Sequence, residues 1–317
     1  MMTKAKLPIL LLALGILPAC GGGGSGSGSV TYSGVTTQAS VTTANAMDLS
    51  VNAYQNGSMG TSANLAGVTS ASSAGASLAA PVISGVGATL KGCVNSALQA
   101  RASSGQTSLA GVAVQNTVYG AYGGSADYTL NVNQATGAFS GTFVFTSLQD
   151  AAGDPVLSGT VGVAGVYDSG SETFTSMTLT VSPLTVNDAQ GSIRMYGTMT
   201  FSGGATNTFA ISCLIQSSAG KVFWVKDWNF SYDASKNVTV SGTYYNPDYG
   251  YVVISTPVAL SGSSASGDPT SGTLDFSGSN GSTVEIVYGS TDYTLSLHTA
   301  GNVDYVYRNG SWQLATP

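Results

Sequence analysis

Hydrophobic and polar positions alternate along most of the second half of the chain. From about Ala126 onward, apolar residues occupy every second position in a series of short runs. Successive side chains of a β-strand point to opposite faces, so this period of two predicts strands with one buried face. The clearest runs are residues 128–132, 139–145, 174–181, 195–201, 238–244, 283–287 and 293–297.

Turn-forming sequences separate these runs, and no helical period intervenes. They lie at residues 135–137, 152–154, 168–170, 218–220, 247–250 and 280–281. Short strands joined by tight turns pair antiparallel. We therefore predict an all-β fold over residues 119–317, an antiparallel meander of roughly a dozen strands. Such a sheet would close into a barrel, form a half-barrel or split into two sheets.

Residues 30–118 follow a different pattern. Residues 43–57 begin with candidate N-cap side chains and predict a short helix that ends at an Asn-Gly pair. A second helix is predicted over residues 86–101, where Leu and Val recur at spacings of four. Residues 58–80 consist mainly of Ser, Ala and Gly and predict a low-complexity linker. Whether residues 58–118 pack onto the β domain stays open at this stage.

The first 19 residues have the features of a lipoprotein signal peptide. Lys4 and Lys6 precede an apolar stretch, residues 7–17, that is too short to span a bilayer as a helix. This stretch leads into Leu17-Pro18-Ala19-Cys20, which resembles the lipobox of bacterial lipoproteins. We therefore expect lipid attachment at Cys20. Pro18 stands where Ala or Ser is commoner, which predicts slow cleavage.

A tether follows the candidate lipidation site. Residues 20–29 are Cys20 and the run GGGGSGSGS, a composition typical of flexible spacers. Several acyl chains on Cys20 would anchor the chain firmly, since each buried methylene contributes about 0.8 kcal/mol. Gly21, rather than Asp, favours the outer membrane, with its periplasmic or surface face undecided. An ordinary secretory signal with a chance cysteine is the alternative.

The composition argues against nucleic acid as a partner. Charged residues make up 8% of the chain, against roughly 25% in an average protein. Removal of residues 1–19 takes Lys4 and Lys6 with it, which leaves 7 basic side chains against 15 acidic ones. Such a chain repels a phosphate backbone.

Two further cysteines remain, Cys93 and Cys213. An exported compartment permits a disulfide between them. Two buried free thiols are the alternative.

The chain carries the following segments in order: residues 32–39 (YSGVTTQA), 45–46 (NA), 123–130 (GGSADYTL), 136–142 (TGAFSGT), 240–252 (VSGTYYNPDYGYV), 268–274 (DPTSGTL) and 278–282 (GSNGS). Their order resembles a group of β-rich lipoproteins of Gram-negative bacteria, notably Deltaproteobacteria, whose activity is unknown. The resemblance implies an anchored β domain and no known activity. The group often carries Cys at the position of Tyr122, with a partner around residues 150–153. Neither cysteine is present here, so that disulfide does not apply to this chain.

Candidate catalytic groups are sparse. His298 is the single histidine, so a Ser-His-Asp triad would have to use it, with Asp292 or Asp304 nearby in sequence. The chain has no G-x-S-x-G elbow and no Cys-x-x-Cys-His haem motif. Asp227 and Glu285 lie within predicted strands and are the better candidates for a carboxylate-dependent hydrolase.

The other acidic residues mostly occupy turns, where they accept backbone N–H bonds. Two turn pairs, Asp150 with Asp154 and Asp168 with Glu172, could ligate Ca²⁺ but lack the spacing of a known calcium loop. We expect no catalytic residue, no metal and no cofactor.

The segment 223–232 (FWVKDWNFSY) is the most aromatic in the chain. In an uninterrupted strand, Trp224, Trp228 and Tyr232 would share one face. If exposed, this face would bind a glycan or an apolar ligand, and if buried it would be core. The pattern favours core.

Three functions follow. The leading prediction is a non-catalytic anchored envelope domain, with the bilayer as partner through Cys20 and an envelope protein or glycan as a further partner. The alternative is a ligand-binding β-barrel that uses Trp224, Trp228 and Tyr232. The hydrolase is the least favoured.

Overall fold

A computed structural model shows one continuous antiparallel sheet of fifteen strands in strict sequence order, β1 to β15. The structure describes residues 30–57, 86–103, 114–168, 173–188, 191–203, 207–235, 237–262, 269–290, 293–299, 302–308 and 310–315. The segments predicted as signal peptide, tether and linker, residues 1–19, 20–29 and 58–80, lie outside these ranges.

Each strand pairs with the next one along the chain. The strands are β1 (Val114–Tyr119), β2 (Gly123–Val132), β3 (Ala138–Gln149), β4 (Val156–Asp168), β5 (Thr173–Asp188), β6 (Gly191–Ser202), β7 (Asn207–Ser217), β8 (Val222–Tyr232), β9 (Val238–Asn246), β10 (Gly250–Ser261), β11 (Ser271–Ser277), β12 (Thr283–Tyr288), β13 (Tyr293–Thr299), β14 (Asn302–Arg308) and β15 (Ser311–Leu314).

The prediction of an all-β antiparallel meander is confirmed, with fifteen strands rather than about a dozen. The sheet is single and is not closed into a barrel, because β1 and β15 form its two edges. The barrel and the two-sheet alternatives were therefore wrong. Each run predicted from the alternating pattern lies within a strand.

In the described part of the chain three helices precede the sheet, where the sequence predicts two, because the helix predicted over residues 43–57 is divided at Ser50. They are α1 (Ala46–Leu49), α2 (Val51–Gly57) and α3 (Val86–Ser103). Their apolar side chains and one face of the sheet, here called the inner face, form a single hydrophobic core. Tyr54 of α2 packs directly on β8. Its ring centroid lies 6.4 Å from that of Trp228 and 6.5 Å from that of Phe230. The helical segment is therefore part of the core.

Among the residues that the structure describes, no helix is both long and apolar enough to cross a membrane.

Register shifts interrupt several strand pairs and change which residues face inward. In β8 the shift falls between Lys226 and Asn229, where Asp227 takes a left-handed backbone with φ of 52°. Phe223 and Val225 are buried before the shift, whereas Trp228 is buried after it. An extra residue in one strand turns every following side chain to the other face.

Gly242 makes room for Trp228 on the inner face. A Cβ atom at Gly242 would lie 2.5 Å from Cδ1 of Trp228, and the backbone there has φ of 152°. A side chain larger than hydrogen would displace the indole. The indole N–H then donates to the Thr243 carbonyl at 3.0 Å, so the one polar atom of this buried ring is satisfied.

Candidate functional site

An extended N-terminal segment, residues 30–41, crosses one end of the sheet, and we call it the strap. The Ala39 N–H donates to the Tyr251 carbonyl at 2.8 Å, and the Tyr251 N–H donates to the Thr37 carbonyl at 3.0 Å. The Ser279 N–H then donates to the Ala39 carbonyl at 2.7 Å. The strap thus joins the β9–β10 hairpin to the β11–β12 turn before the chain turns inward as α1.

Gly250 permits this close approach. A Cβ atom there would lie 2.2 Å from the Thr37 carbonyl oxygen, and the backbone φ is 99°. Only glycine adopts this conformation without strain while leaving space for a neighbouring backbone. The Asn-Pro-Asp-Tyr-Gly turn therefore both reverses the chain and receives the strap.

Four rings form an outer aromatic cluster beside the strap: Tyr32, Trp224, Tyr245 and Tyr251. Trp224 and Tyr245 are cross-strand neighbours with centroids 4.8 Å apart and planes 25° apart. Tyr251 continues the row on β10, 5.1 Å from Tyr245. Tyr32 of the strap lies 5.5 Å from Tyr245 and 6.1 Å from Trp224. All four rings are partly exposed on the face opposite the core.

Polar contacts fix the edges of the outer aromatic cluster. The Tyr32 hydroxyl lies 2.8 Å from the Val35 carbonyl and 3.0 Å from the Asn246 carbonyl. Burial, together with the nearby Tyr245 and Asp248, raises the pKa of Tyr32 to about 12. Tyr32 is therefore a neutral hydrogen-bond donor at any physiological pH.

Two lysines accompany the cluster. Lys226 Nζ lies 4.9 Å from the Trp224 ring centroid, a cation–π contact of about 0.5–1 kcal/mol at a surface. Lys221 at the β7–β8 turn forms an ion pair with Asp248 at the β9–β10 turn. The pair links two adjacent hairpins at the same end of the sheet.

The prediction that Trp224, Trp228 and Tyr232 share one face was wrong. The register shift at Asp227 places Trp224 on the outer face and Trp228 in the core, where its exposed fraction is 0%. Tyr232 is partly buried and packs against the core. Trp228 thus has no surface for a ligand, and Trp224 instead joins tyrosines from the strap, β9 and β10.

The candidate carboxylates lie apart from this cluster. Asp227 is exposed at the bulge of β8. Glu285 on β12 faces Asp275 on β11 across the outer side of the sheet. Burial raises the pKa of Asp275, and the charge of Glu285 raises it further, whereas His298 lowers it.

His298 lies beside Glu285, with 3.7 Å between Nε2 and Oε1. His298 Nε2 and Asp304 Oδ2 are buried and have no hydrogen-bond partner, so no serine hydroxyl bonds His298 at the nitrogen that a triad uses. Asp292, the other candidate partner, lies outside the described residues.

Of the acidic residues considered as calcium ligands, Asp150 and Asp154 lie in the β3–β4 turn, and Asp168 ends β4. Within the described part of the chain, no group of three His, Cys, Asp or Glu side chains could hold a metal ion. Asp150, Asp154 and Asp168 belong to the described part of the chain, whereas Glu172 lies outside it.

Cys93 and Cys213 are free and buried, so of the two alternatives, a disulfide or two buried thiols, the structure has the buried thiols. Burial raises the thiol pKa of Cys93 and of Cys213 to about 12. The Cys213 thiol donates weakly to the Thr198 carbonyl, with 3.6 Å between sulfur and oxygen. Thiols of this kind are unreactive, because the thiolate is the nucleophile.

A shallow groove of ≈ 490 Å³ lies on the outer face of β1, β2 and β3. Its walls are about equally polar and apolar, and the Thr117 hydroxyl donates to Asp127 across it at 2.6 Å. Its lining holds no pair of acidic side chains, and strands β4 to β7 separate it from the outer aromatic cluster.

No known protein family, curated protein or solved structure matches this chain. The resemblance to lipoproteins of Deltaproteobacteria therefore stays a prediction. The sequence analysis missed the contact of Tyr32 with Trp224, because nothing in the periodicity of residues 30–41 indicates contact with the sheet.

Proposed function

We propose that this protein is an exported bacterial lipoprotein, anchored through Cys20, whose β domain acts as a non-catalytic structural or interaction module of the cell envelope. The observation that carries the proposal is the sequence of residues 1–29. A basic start, a short apolar stretch, a Cys at its end and a Gly/Ser run follow one another in the order that lipid anchoring needs.

The position of the strap supports this proposal. The described chain begins at Val30, at one end of the sheet, and the strap ties that end together through backbone hydrogen bonds. A load applied through an N-terminal anchor would therefore act on a segment that is bound to two hairpins, rather than on a free terminus.

The surroundings of the acidic side chains support a non-catalytic role. A glycosidase needs two carboxyl groups on opposite sides of a cleft. Asp275 and Glu285 instead lie side by side on the outer face of neighbouring strands, with His298 next to Glu285. The two carboxyl groups are directly opposed cross-strand neighbours, with no cleft between them for a substrate.

A glycan-binding role would have to use the outer aromatic cluster. Trp224 and Tyr245 offer a partly exposed stacked pair. However, Tyr32 of the strap lies against both rings, and Lys226 lies over the Trp224 ring. Because the protein's own side chains occupy much of this surface, we favour the anchored module over a glycan platform.

Metabolic labelling with a palmitate analogue tests the proposal. We expect wild-type protein to carry the label and the Cys20→Ala variant to lack it, because the acyl chains are attached at Cys20. Globomycin should cause a larger precursor to accumulate in wild type and to have no effect on the size of Cys20→Ala.

The matched control is Cys213→Ala, which removes a buried thiol and should keep the label. Label in Cys20→Ala would place the acyl chains at another residue, and no label in the wild type would return the protein to the class of plain secreted domains.

A further inference from the structure

The most exposed aromatic side chains lie in turns on one side of the meander. Among the described residues, the aromatic side chains that are more than a third exposed are Tyr119 at 77%, Tyr122 at 61% and Tyr249 at 38%. Tyr119 and Tyr122 flank the β1–β2 turn, and Tyr249 lies in the β9–β10 turn. In a meander, alternate turns lie at the same end, so all three belong to the end that carries the strap.

The outer aromatic cluster extends this surface. Trp224 lies near the start of β8, and Tyr245 and Tyr251 flank the β9–β10 turn, so they are also close to the strap end. The opposite end is different. Its described turn residues, which include 133–137, 233–235 and 289–290, carry no exposed aromatic side chain.

The chain enters the described domain at this same end. Only residues 20–29 separate the proposed lipid attachment from Val30. A Gly/Ser chain of ten residues has a root-mean-square length of about 17 Å. The far end of β8, which has eleven residues, lies about 35 Å further away at the usual rise per residue. The anchor therefore brings the aromatic end towards the membrane and leaves the other end remote.

We propose that the strap end rests on the phospholipid headgroup layer of the membrane that holds Cys20, with Tyr119, Tyr122 and Tyr249 as its contacts. This inference rests on the proposed lipid anchor and deepens it. Tyrosine and tryptophan favour the interface of a bilayer, because the ring enters the acyl boundary while the hydroxyl or indole N–H stays hydrated.

The charges at the strap end select neutral headgroups. The basic residues at this end are Lys221 and Lys226 beside the aromatic rings and Arg194 near the start of β6, and Lys221 is already paired with Asp248. Asp150 and Asp154 lie in the β3–β4 turn at this end. With no excess of positive charge, attraction to an anionic membrane is weak. Contact through the tyrosines should therefore be strongest on a zwitterionic phosphatidylcholine bilayer and insensitive to salt.

Two matched label sites at the two ends of β8 test this orientation. Ala219 is exposed in the β7–β8 turn at the strap end, and Ala234 is exposed in the β8–β9 turn at the other end. Each is changed to Cys in the full lipidated chain and labelled with a fluorescent maleimide at neutral pH. Cys93 and Cys213 should not react, because both are buried and the pKa of each is raised to about 12.

The labelled proteins are placed in phosphatidylcholine vesicles that contain lipids spin-labelled at the headgroup. We expect the label at position 219 to be quenched severalfold more than the label at position 234, with little change at high salt. In a Tyr119→Ser/Tyr122→Ser/Tyr249→Ser background, the quenching at position 219 should fall towards that at position 234. These exposed positions are compatible with a folded domain, which circular dichroism verifies.

Each other outcome overturns the inference. Equal quenching at the two positions means that the domain has no fixed orientation. Strong quenching at position 219 that survives the three tyrosine changes means that the tether alone sets the orientation. Retention of the domain on a glycan column, lost in Trp224→Ala but not in the tyrosine variant, together with equal quenching, would make it a glycan-binding surface. In these cases palmitate labelling of Cys20 still upholds the proposed anchor, whereas an unlabelled chain would remove both proposals.

Discussion

At the scale of single residues, the two tryptophans of β8 show how one backbone angle decides the role of a side chain. Trp224 and Trp228 are four positions apart, so an unbroken strand would place them on the same face. The left-handed backbone of Asp227 inserts an extra residue between them. Trp228 consequently fills a gap above Gly242, whereas Trp224 stacks on Tyr245 at the surface.

The two positions should differ in stability when each is changed to Phe. Trp228→Phe leaves a cavity in the core and removes the hydrogen bond to the Thr243 carbonyl, so we expect a loss of about 1–3 kcal/mol in the free energy of unfolding. Trp224→Phe keeps a ring on the outer face and should cost less than about 1 kcal/mol. Urea unfolding followed by circular dichroism measures both. Equal losses would contradict the assignment of the two residues to opposite faces.

At the scale of elements, the strap is the feature on which the arrangement of the strap end depends. Ser282 anchors its inner part. The Ser282 hydroxyl accepts the Val41 N–H at 3.1 Å and donates to the Ser279 carbonyl at 2.7 Å. Both interactions are made by a side chain that is 5% exposed. The hydroxyl thus links the strap to the β11–β12 turn where water cannot replace it.

Ser282→Ala should weaken this link. It leaves the Val41 N–H buried without a partner, which costs about 1–3 kcal/mol. Urea unfolding measures the global loss, and faster amide exchange at Val41 would localise it to the strap. The control is Ser140→Ala on the exposed face of β3, which should change the free energy of unfolding by less than about 0.5 kcal/mol. If the two variants unfolded alike, the strap would not be held through Ser282.

Much of the element order follows from the sequence, because it rests on local periodicity. The helices and the alternating strands obey simple patterns, as residues 86–103 and 139–145 illustrate. The bulge at Asp227 could not be predicted from the sequence, since nothing in the identity of that residue requires a left-handed backbone. Its signal is a change of parity: buried residues are odd-numbered at Phe223 and Val225 and even-numbered at Trp228 and Phe230.

The candidate site was harder to predict than the fold. The outer aromatic cluster joins Tyr32 to rings more than 190 positions later in the chain, and such contacts leave no trace in a local pattern. The closure of the sheet was equally unpredictable. Whether the first and last strands meet depends on twist accumulated over all the strands, and here the sheet stays open with β1 and β15 at its edges.

At the scale of the whole molecule, the two ends of the sheet differ in chemistry. The strap end collects exposed tyrosines, the outer aromatic cluster and the entry point of the chain. The opposite end carries polar turns such as Asp233 to Ser235, in which the Asp233 carboxylate accepts the Ser235 N–H at 2.8 Å. A polarity of this kind is what a domain held at one end by a short lipid tether would need.

The central claim is that Cys20 becomes the lipidated first residue of the mature protein. Mass spectrometry of the N-terminal peptide of protein extracted from its native membrane tests it most directly. We predict a peptide that starts at Cys20 and carries a thioether-linked diacylglyceryl group, together with an acyl chain on its amine. A mature chain that starts at another residue, or an unmodified Cys20, would contradict it.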